Sequence, residues 1–218
     1  VIGEQILMRK HNGFLVSFEG IDQCGKSTQV ERLTKRLEMR KIDFEVYREP
    51  GSTTISEQVR RILLSSENKL MEARCELMLY SAARAQLVAE KIIPALKNGS
   101  FVILDRYYHS TTAYQGFARG LPIDLIERIN REVSQGYAPD IVFIIDILPE
   151  EAIHRRDETG RDRLEQSSLE FFNRVRKGYL KMAETDPNLI IVDGRMSPDE
   201  IEKQVWGIIT EKAVEFIR

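Results

Sequence analysis

The sequence predicts a three-layer α/β domain: a five-stranded parallel sheet flanked by helices, with a short exposed, charged loop. Three observations carry that prediction. Five short apolar runs rich in Val, Ile and Phe punctuate the chain, helically spaced apolar residues fill the intervals, and a glycine-rich loop joins the first run to the first helix. Strands alternating with helices are the pattern of a parallel sheet with right-handed crossovers.

The runs are Phe14–Phe18 (FLVSF), Phe44–Arg48 (FEVYR), Phe101–Asp105 (FVILD), Ile141–Asp146 (IVFIID) and Leu189–Asp193 (LIIVD). Most do not alternate in polarity, which suits strands buried on both faces. After the first run, Val30, Leu33 and Leu37 repeat at i, i+3 and i+7 and predict the first helix. A long helix is expected over about Leu70 to Ala95, and another where Leu125, Ile126, Ile129 and Val133 share a face. Ser167–Ser168–Leu169–Glu170 fits a capping box, with Leu169, Phe172, Tyr179 and Ala183 as the buried stripe that follows. Ser197–Pro198–Asp199–Glu200 is a second box, with Pro at the first helical position. Between Arg155 and Arg163 seven of nine residues are charged, none is apolar, and Gly160 interrupts the run. Such a stretch is poor core material and reads as an exposed, mobile loop over about residues 155–164.

Composition narrows the class. The 218 residues suit one domain, here residues 14–218 after an N-terminal extension, 1–13. Lys plus Arg number 32 and Asp plus Glu 34, for a net charge of −2, which argues against a polybasic nucleic-acid binder. No apolar run approaches the roughly 20 residues of a membrane helix. The first dozen residues carry Glu4, Arg9, Lys10 and His11 and do not read as a secretory signal. The chain opens on Val1 rather than Met, which reads as a trimmed start. Cys24 and Cys75 are too few for a disulfide framework and lack metal-ligand spacing. A cytoplasmic globular protein is expected.

Gly20–Ile21–Asp22–Gln23–Cys24–Gly25–Lys26–Ser27 matches G-x-x-x-x-G-K-[ST], between a strand and a helix as a nucleotide phosphate loop requires. The glycines permit backbone conformations that turn N–H groups inward on an anion, and the helix start adds its positive dipole end. Lys26 is expected to reach the β- and γ-phosphates of a nucleotide and Ser27 to place its hydroxyl on Mg²⁺. Thr28 completes the nucleotide-binding segment as a helix residue, and Cys24 reads as a small filler of the loop. The loop alone allows an ATPase, a GTPase, a small-molecule kinase or a motor. No base-reading N-K-x-D element of a GTPase is present.

The third run ends in Asp105–Arg106, followed by Tyr107 through Gln115. A carboxylate at the C-terminal end of such a strand lies where open α/β sheets bind ligands. There Asp105 can hold Mg²⁺ and Arg106 can clamp a phosphate. At this point the sequence resembles the thymidylate kinase family. The resemblance rests on FEGIDQCGKSTQ (Phe18–Gln29), REPGST (Arg48–Thr53), YSAAR (Tyr80–Arg84), DRYYHSTTAYQG (Asp105–Gly116), APD (Ala138–Asp140) and RLEQ (Arg163–Gln166), and covers nearly the whole chain from Phe14.

The resemblance implies a P-loop nucleoside monophosphate kinase fold, a homodimer, and transfer of the ATP γ-phosphoryl group to dTMP. It also implies roles. Arg48 and Arg106 bind the dTMP phosphate, Tyr80 stacks on the thymine, and Arg84 and Gln115 hydrogen-bond the base with Ser110 and Thr111 nearby. Tyr114 closes over the 2′ side of the sugar, and Asp22 sits near the 3′-hydroxyl and the metal. Glu49–Pro50–Gly51 shapes the acceptor pocket. Ser52 departs from a glycine common at its position in the family.

Some relatives carry an arginine inside the phosphate loop, where this chain has Gln23, so the catalytic cation is expected from a basic lid of the bacterial type. Arg161 is the leading candidate, with Arg163 and Arg156 as rivals. His11, His109 and His154 are given structural or solvated positions, His109 at the surface or a helix start. Asp193–Gly194–Arg195 is a candidate adenine-side loop. The alternatives are a broader nucleoside monophosphate kinase, a deoxynucleoside kinase, or a nucleotide-binding protein without turnover. A nucleoside kinase needs a carboxylate base for a neutral hydroxyl, so the pairing of Arg48 with Arg106 favours a monophosphate acceptor.

Overall fold

A computed structural model describes residues 12–155 and 163–217. Most of the N-terminal extension, and Arg156 and Arg161 of the expected lid, lie outside the described residues. The elements run β1 (Phe14–Glu19), α1 (Lys26–Met39), β2 (Phe44–Arg48), α2 (Thr54–Leu64), α3 (Ala73–Leu87), a π-helical turn (Val88–Ile92), α4 (Ile93–Lys97) and β3 (Phe101–Asp105). They continue as α5 (Tyr108–Thr111), a second π-helical segment (Thr112–Ala118), α6 (Ile123–Val133), β4 (Ile141–Asp146), α7 (Pro149–His154), α8 (Leu169–Ala183), β5 (Leu189–Asp193), α9 (Pro198–Lys212) and α10 (Val214–Ile217).

The sheet is parallel throughout, in the order β2-β3-β1-β4-β5. Phe14, Val16 and Phe18 of β1 pack on one face with Leu33 and Leu37 of α1 and Phe172 and Tyr179 of α8. Leu15 packs on the other face with Val102, Leu104, Leu87, Ile92 and Leu96. Both faces are covered, which is why these strands read as unbroken apolar runs. Edge strand β2 differs: Glu45, Val46 and Arg48 are exposed. From β1 the chain crosses to β2 on one side, and from β3 it returns to β4 on the other. The loops leaving the adjacent ends of β1 and β3 therefore diverge and open a crevice between them.

Several local expectations are corrected. The long helix starts at Ala73, because the Glu72 carboxylate caps it by accepting from Arg74 N at 2.6 Å and Cys75 N at 3.3 Å. It runs to Lys97 but widens at Val88–Ile92, beside Pro94, which has no N–H to continue the i→i−4 ladder. Helix α8 is capped by Ser168, whose Oγ accepts from Phe171 N at 3.2 Å, and not by a box built on Ser167. Glu170 instead accepts from Arg174 at 2.6 Å. Leu169 is consequently exposed, and Phe171, Phe172, Val175 and Tyr179 form the buried stripe. The second box forms as expected, with Ser197 and Glu200 bonding reciprocally.

His109 begins a helix but is buried, not at the surface. Burial and the Arg84 charge hold its imidazole neutral, with the pKa pushed down from 6.5 to about 3. A depressed histidine pKa costs stability as pH falls, because the unfolded chain takes up the proton first. The stability difference between wild type and His109→Gln is therefore expected to shift in favour of wild type as pH rises from about 3 to 6.5. Urea unfolding at several pH values measures it, and a difference independent of pH contradicts the assignment.

Candidate active site

The loop after β1 turns at Gly20 (φ 134°) and Gly25 (φ 103°), with Gln23 also at positive φ, 63°. A Cβ on Gly20 would lie 2.5 Å from Ile145 O, so only glycine fits. Gly25 caps α1 without a side-chain hydrogen bond, and no acidic residue occupies the first turn. The N–H groups at that helix start are thus left for an anion. Lys26 is buried, its Nζ donating to Ile21 O at 2.7 Å and Gly20 O at 3.3 Å. Cys24 is a buried filler of the loop.

β1 and β3 pair with Phe18 opposite Asp105, and Arg106 N extends the ladder to Phe18 O at 3.0 Å. This brings the Ser27 hydroxyl to Asp105 Oδ2 at 2.7 Å. Arg106 then turns at φ 73°, a conformation that costs a non-glycine residue about 1–3 kcal/mol. The turn is held from below by Glu19, which is fully buried and accepts from Tyr107 N at 2.7 Å, Ser110 Oγ at 2.6 Å and Tyr179 OH at 2.9 Å. Burial raises the Glu19 pKa, while those hydrogen bonds and the Arg106 charge oppose the rise.

The Arg106 guanidinium donates to Gly20 O at 2.8 Å and Ser110 Oγ at 3.2 Å, pairs with Asp22 Oδ1 at 2.5 Å, and lies 5.3 Å from the Tyr114 ring centroid. Burial opposes its charge, but Tyr114 and Asp22 outweigh that effect and keep it protonated. Arg106 and Asp22 line two adjoining spaces. One is a cleft of 630 Å³ that also meets the phosphate loop, Arg48, Asp105 and Gly194. The other is a narrow pocket lined by Tyr80, Arg84, Ser110, Thr111, Tyr114 and Gln115. All seven residues expected at the base and sugar, Asp22 included, therefore meet in one place.

Arg84 is fully buried. Its Nε pairs with Glu49 Oε1 at 2.5 Å, Nη1 donates to Asn130 Oδ1 at 3.1 Å and Nη2 to Thr111 Oγ1 at 2.9 Å. Burial pushes the Glu49 pKa up to about 7 against the pull of Arg84. Glu49–Pro50 is a cis peptide bond. Ser52 takes φ 69°, a conformation that favours glycine, and its Oγ accepts from Arg48 N at 2.8 Å. Arg48 lines the large cleft but not the narrow pocket, with Nη2 donating to Glu57 at 2.9 Å.

Of the expected lid, Arg163 turns inward: it is buried, pairs with Glu76 at 2.6 Å and donates to Leu63 O at 3.0 Å. Arg155 lines the cleft and donates to Gly194 O at 3.1 Å. Within the candidate adenine-side loop Arg195 pairs with Asp193 at 2.8 Å. Sequence reasoning missed Arg60, which lines both spaces and donates to Pro50 O at 2.8 Å. Sequence reasoning also missed Glu19 and Glu76, and the pairing of Glu49 with Arg84 and of Tyr179 with Glu19, because the partners lie far apart in sequence.

A parallel sheet in this order, with a phosphate loop after β1 and a carboxylate and an arginine after β3, defines a phosphate-loop nucleotide-binding protein. Known proteins narrow the class. Residues 18–205 match the Thymidylate kinase family. The chain is 44% identical over 206 residues to the thymidylate kinase of Chlorobaculum parvum, covering 89% of this chain and 94% of that protein. It is 45% identical over 200 residues to that of Caldanaerobacter subterraneus subsp. tengcongensis, covering 91% and 96%. It is 45% identical over 190 residues to that of Fervidobacterium nodosum, covering 87% and 95%. The chain belongs to the thymidylate kinase family.

Gly20→Ala is expected to lower stability by about 2 kcal/mol or more, since the new Cβ meets backbone at a strained φ. It is also expected to abolish ADP binding. Denaturant unfolding and calorimetric titration with ADP check both, and wild-type values would contradict this account of the loop.

Proposed function

We propose that this protein transfers the γ-phosphoryl group of ATP to dTMP, giving dTDP and ADP, with residues 14–218 as one catalytic domain. The observation that carries the reading is the position of Arg106, lining both the cleft of the phosphate loop and the narrow pocket of Tyr80, Arg84 and Gln115. A guanidinium there suits the phosphate of an acceptor whose base fills the pocket.

The acceptor phosphate of dTMP has a second pKa near ~6 and is mostly dianionic at pH 7, so no protein base is needed to make it a nucleophile. Catalysis is then positioning plus neutralisation of charge on the migrating group. The N–H groups at the start of α1 and the Lys26 ammonium bind the ATP phosphates, Lys26 exchanging loop carbonyls for phosphate oxygens. Arg106 and Arg48 bind the acceptor phosphate from the opposite side of the same cleft. Tyr80 stacks on the base, Arg84 and Gln115 read its edge, and Tyr114 with Asp22 bounds the sugar.

The donor set beside the loop fits Mg²⁺. A hydroxyl and a carboxylate, both hard oxygen donors, stand 2.7 Å apart at the cleft that takes the phosphates, and Mg²⁺ is commonly held by few protein ligands plus substrate oxygens. Ser27 and Asp105 are the residues that would hold it. When bound, the ion offsets negative charge on the phosphates.

Arg163 is committed to Glu76, so Arg161 and Arg156 remain the candidates for the lid cation, with Arg161 first. A homodimer and a cytoplasmic location complete the reading. Half-exposed Met78 on α3 is an apolar position that a second copy would cover. Among the described residues no helix is long and apolar enough to cross a membrane.

ADP release coupled to a reporter is expected to be fast with dTMP and slow with dCMP, dGMP, AMP and UMP. Activity on AMP without activity on dTMP overturns the acceptor assignment. No activity on any acceptor favours a binding protein. In the same assay Arg161→Ala is expected to lower kcat by about 10²–10³-fold with little change in KM for dTMP. An unchanged kcat removes Arg161 from the mechanism.

A further inference from the structure

Glu76 of α3 is fully buried, yet none of the roles above uses it. Three side chains close on its carboxylate. Gln115 Nε2 donates to Oε1 at 2.8 Å, Arg119 donates to both oxygens at 3.1 Å, and Arg163 pairs with Oε2 at 2.6 Å. Burial alone would raise its pKa, but Arg119, Gln115 and Arg163 together lower it, so the group is an anion.

A carboxylate only accepts hydrogen bonds, so the end of the Gln115 amide turned towards it is the NH₂. The carbonyl end is thereby directed away from Glu76. Among the described residues no donor reaches Gln115 Oε1, and it is not one of the sealed, unsatisfied polar atoms of the interior. Gln115 lines the narrow pocket, so its carbonyl is the acceptor presented there. Arg84 supplies the opposite character. Its Nη1 and Nη2 each have one N–H committed, to Asn130 and Thr111, and each retains a second. Pyrimidine bases differ where such a pattern is felt: N3 of thymine carries a hydrogen, whereas N3 of cytosine is a bare acceptor.

We propose that Glu76 is a positioning residue for base selectivity: by holding the NH₂ of Gln115 it fixes the carbonyl towards the acceptor pocket, so the site demands a ring N–H from the pyrimidine. This rests on the reading of the narrow pocket as the site of the acceptor base. A neutral acceptor at residue 76 would not fix the amide, because a second amide can meet Gln115 in either orientation. The cytosine edge would then find a donor. Arg119 provides the contrast, since its removal leaves both the Gln115–Glu76 bond and the Arg163 pair in place.

The test compares wild type, Glu76→Gln and Arg119→Met by the dissociation constants of dTMP and dCMP, measured by calorimetry, with thermal midpoints alongside. The preference for dTMP over dCMP is expected to fall about 10–100-fold in Glu76→Gln, partly through tighter dCMP binding. Arg119→Met is expected to lose thermal stability and keep the wild-type preference within about twofold. Should Glu76→Gln not fold, Glu76→Asp keeps the charge, withdraws the carboxylate by one methylene, and is expected to show the same fall. The proposal is overturned by an unchanged preference in a folded variant at position 76, by an equal fall in Arg119→Met, or by failure of both position-76 variants to fold. Wild-type protein that does not bind dTMP at all is a separate result and breaks the acceptor reading instead.

Discussion

The pairing of β1 with β3 is the constraint on which the site depends. Phe18 stands opposite Asp105, and the ladder ends with Arg106 N on Phe18 O at 3.0 Å. That register puts the phosphate loop beside the Asp105–Arg106 turn and lets Ser27 reach a carboxylate 78 residues away. A slip of one residue would send every β1 side chain to the opposite face and exchange Phe18 for its neighbours in the core. Glu19, the last residue of β1, reaches across to the same turn and ties its backbone to Ser110 and Tyr179. The positive φ of Arg106 is maintained by that surrounding network, because its own conformational preference opposes it.

Charges around the site are paired, two of the pairs in full burial and one, Arg106 with Asp22, in partial burial. The net charge of −2 conceals three ion pairs packed around the acceptor pocket: Arg106 with Asp22, Arg84 with Glu49, and Arg163 with Glu76. Buried pairs are weak contributors to net stability, since desolvation offsets the attraction, but removing one partner costs about 3–5 kcal/mol. Their effect is on geometry. Each guanidinium is fixed by a carboxylate and by neutral acceptors, and those of Arg106 and Arg84 line the narrow pocket. Ser27 and Asp105 form a separate pair of hard oxygens, and they line the same cleft as Lys26, Arg48 and Arg106.

The strands were legible because burial on both faces leaves an unbroken apolar run, and all five runs became strands at nearly the expected bounds. The phosphate loop was legible because its glycines, lysine and serine are contiguous and sit at one strand–helix junction. What escaped reading depends on distant partners. Glu19, Glu49 and Glu76 look like ordinary surface acids in sequence, and only the fold places Tyr179, Arg84 and Arg163 against them. Arg163 sits in the most charged stretch of the chain yet is buried, because Glu76 offers it a counterion. His109 misled for a related reason: nothing local distinguishes a solvated histidine from one walled in beside Glu19. The π-helical segment carrying Tyr114 and Gln115 has no periodicity signal of its own, and its widened turn is a backbone adjustment seen only in three dimensions.

The proposed reaction requires one crevice, set by the β1–β3 register, to hold donor and acceptor phosphates on opposite sides of Arg106. A crystal structure with dTMP, Mg²⁺ and a non-hydrolysable ATP analogue tests this. The dTMP phosphate is expected on Arg106 and Arg48, its base between Tyr80 and Gln115, and the metal on Ser27 and Asp105. A dTMP molecule seated outside the narrow pocket, or a phosphate that leaves Arg106 on Asp22 alone, would contradict it.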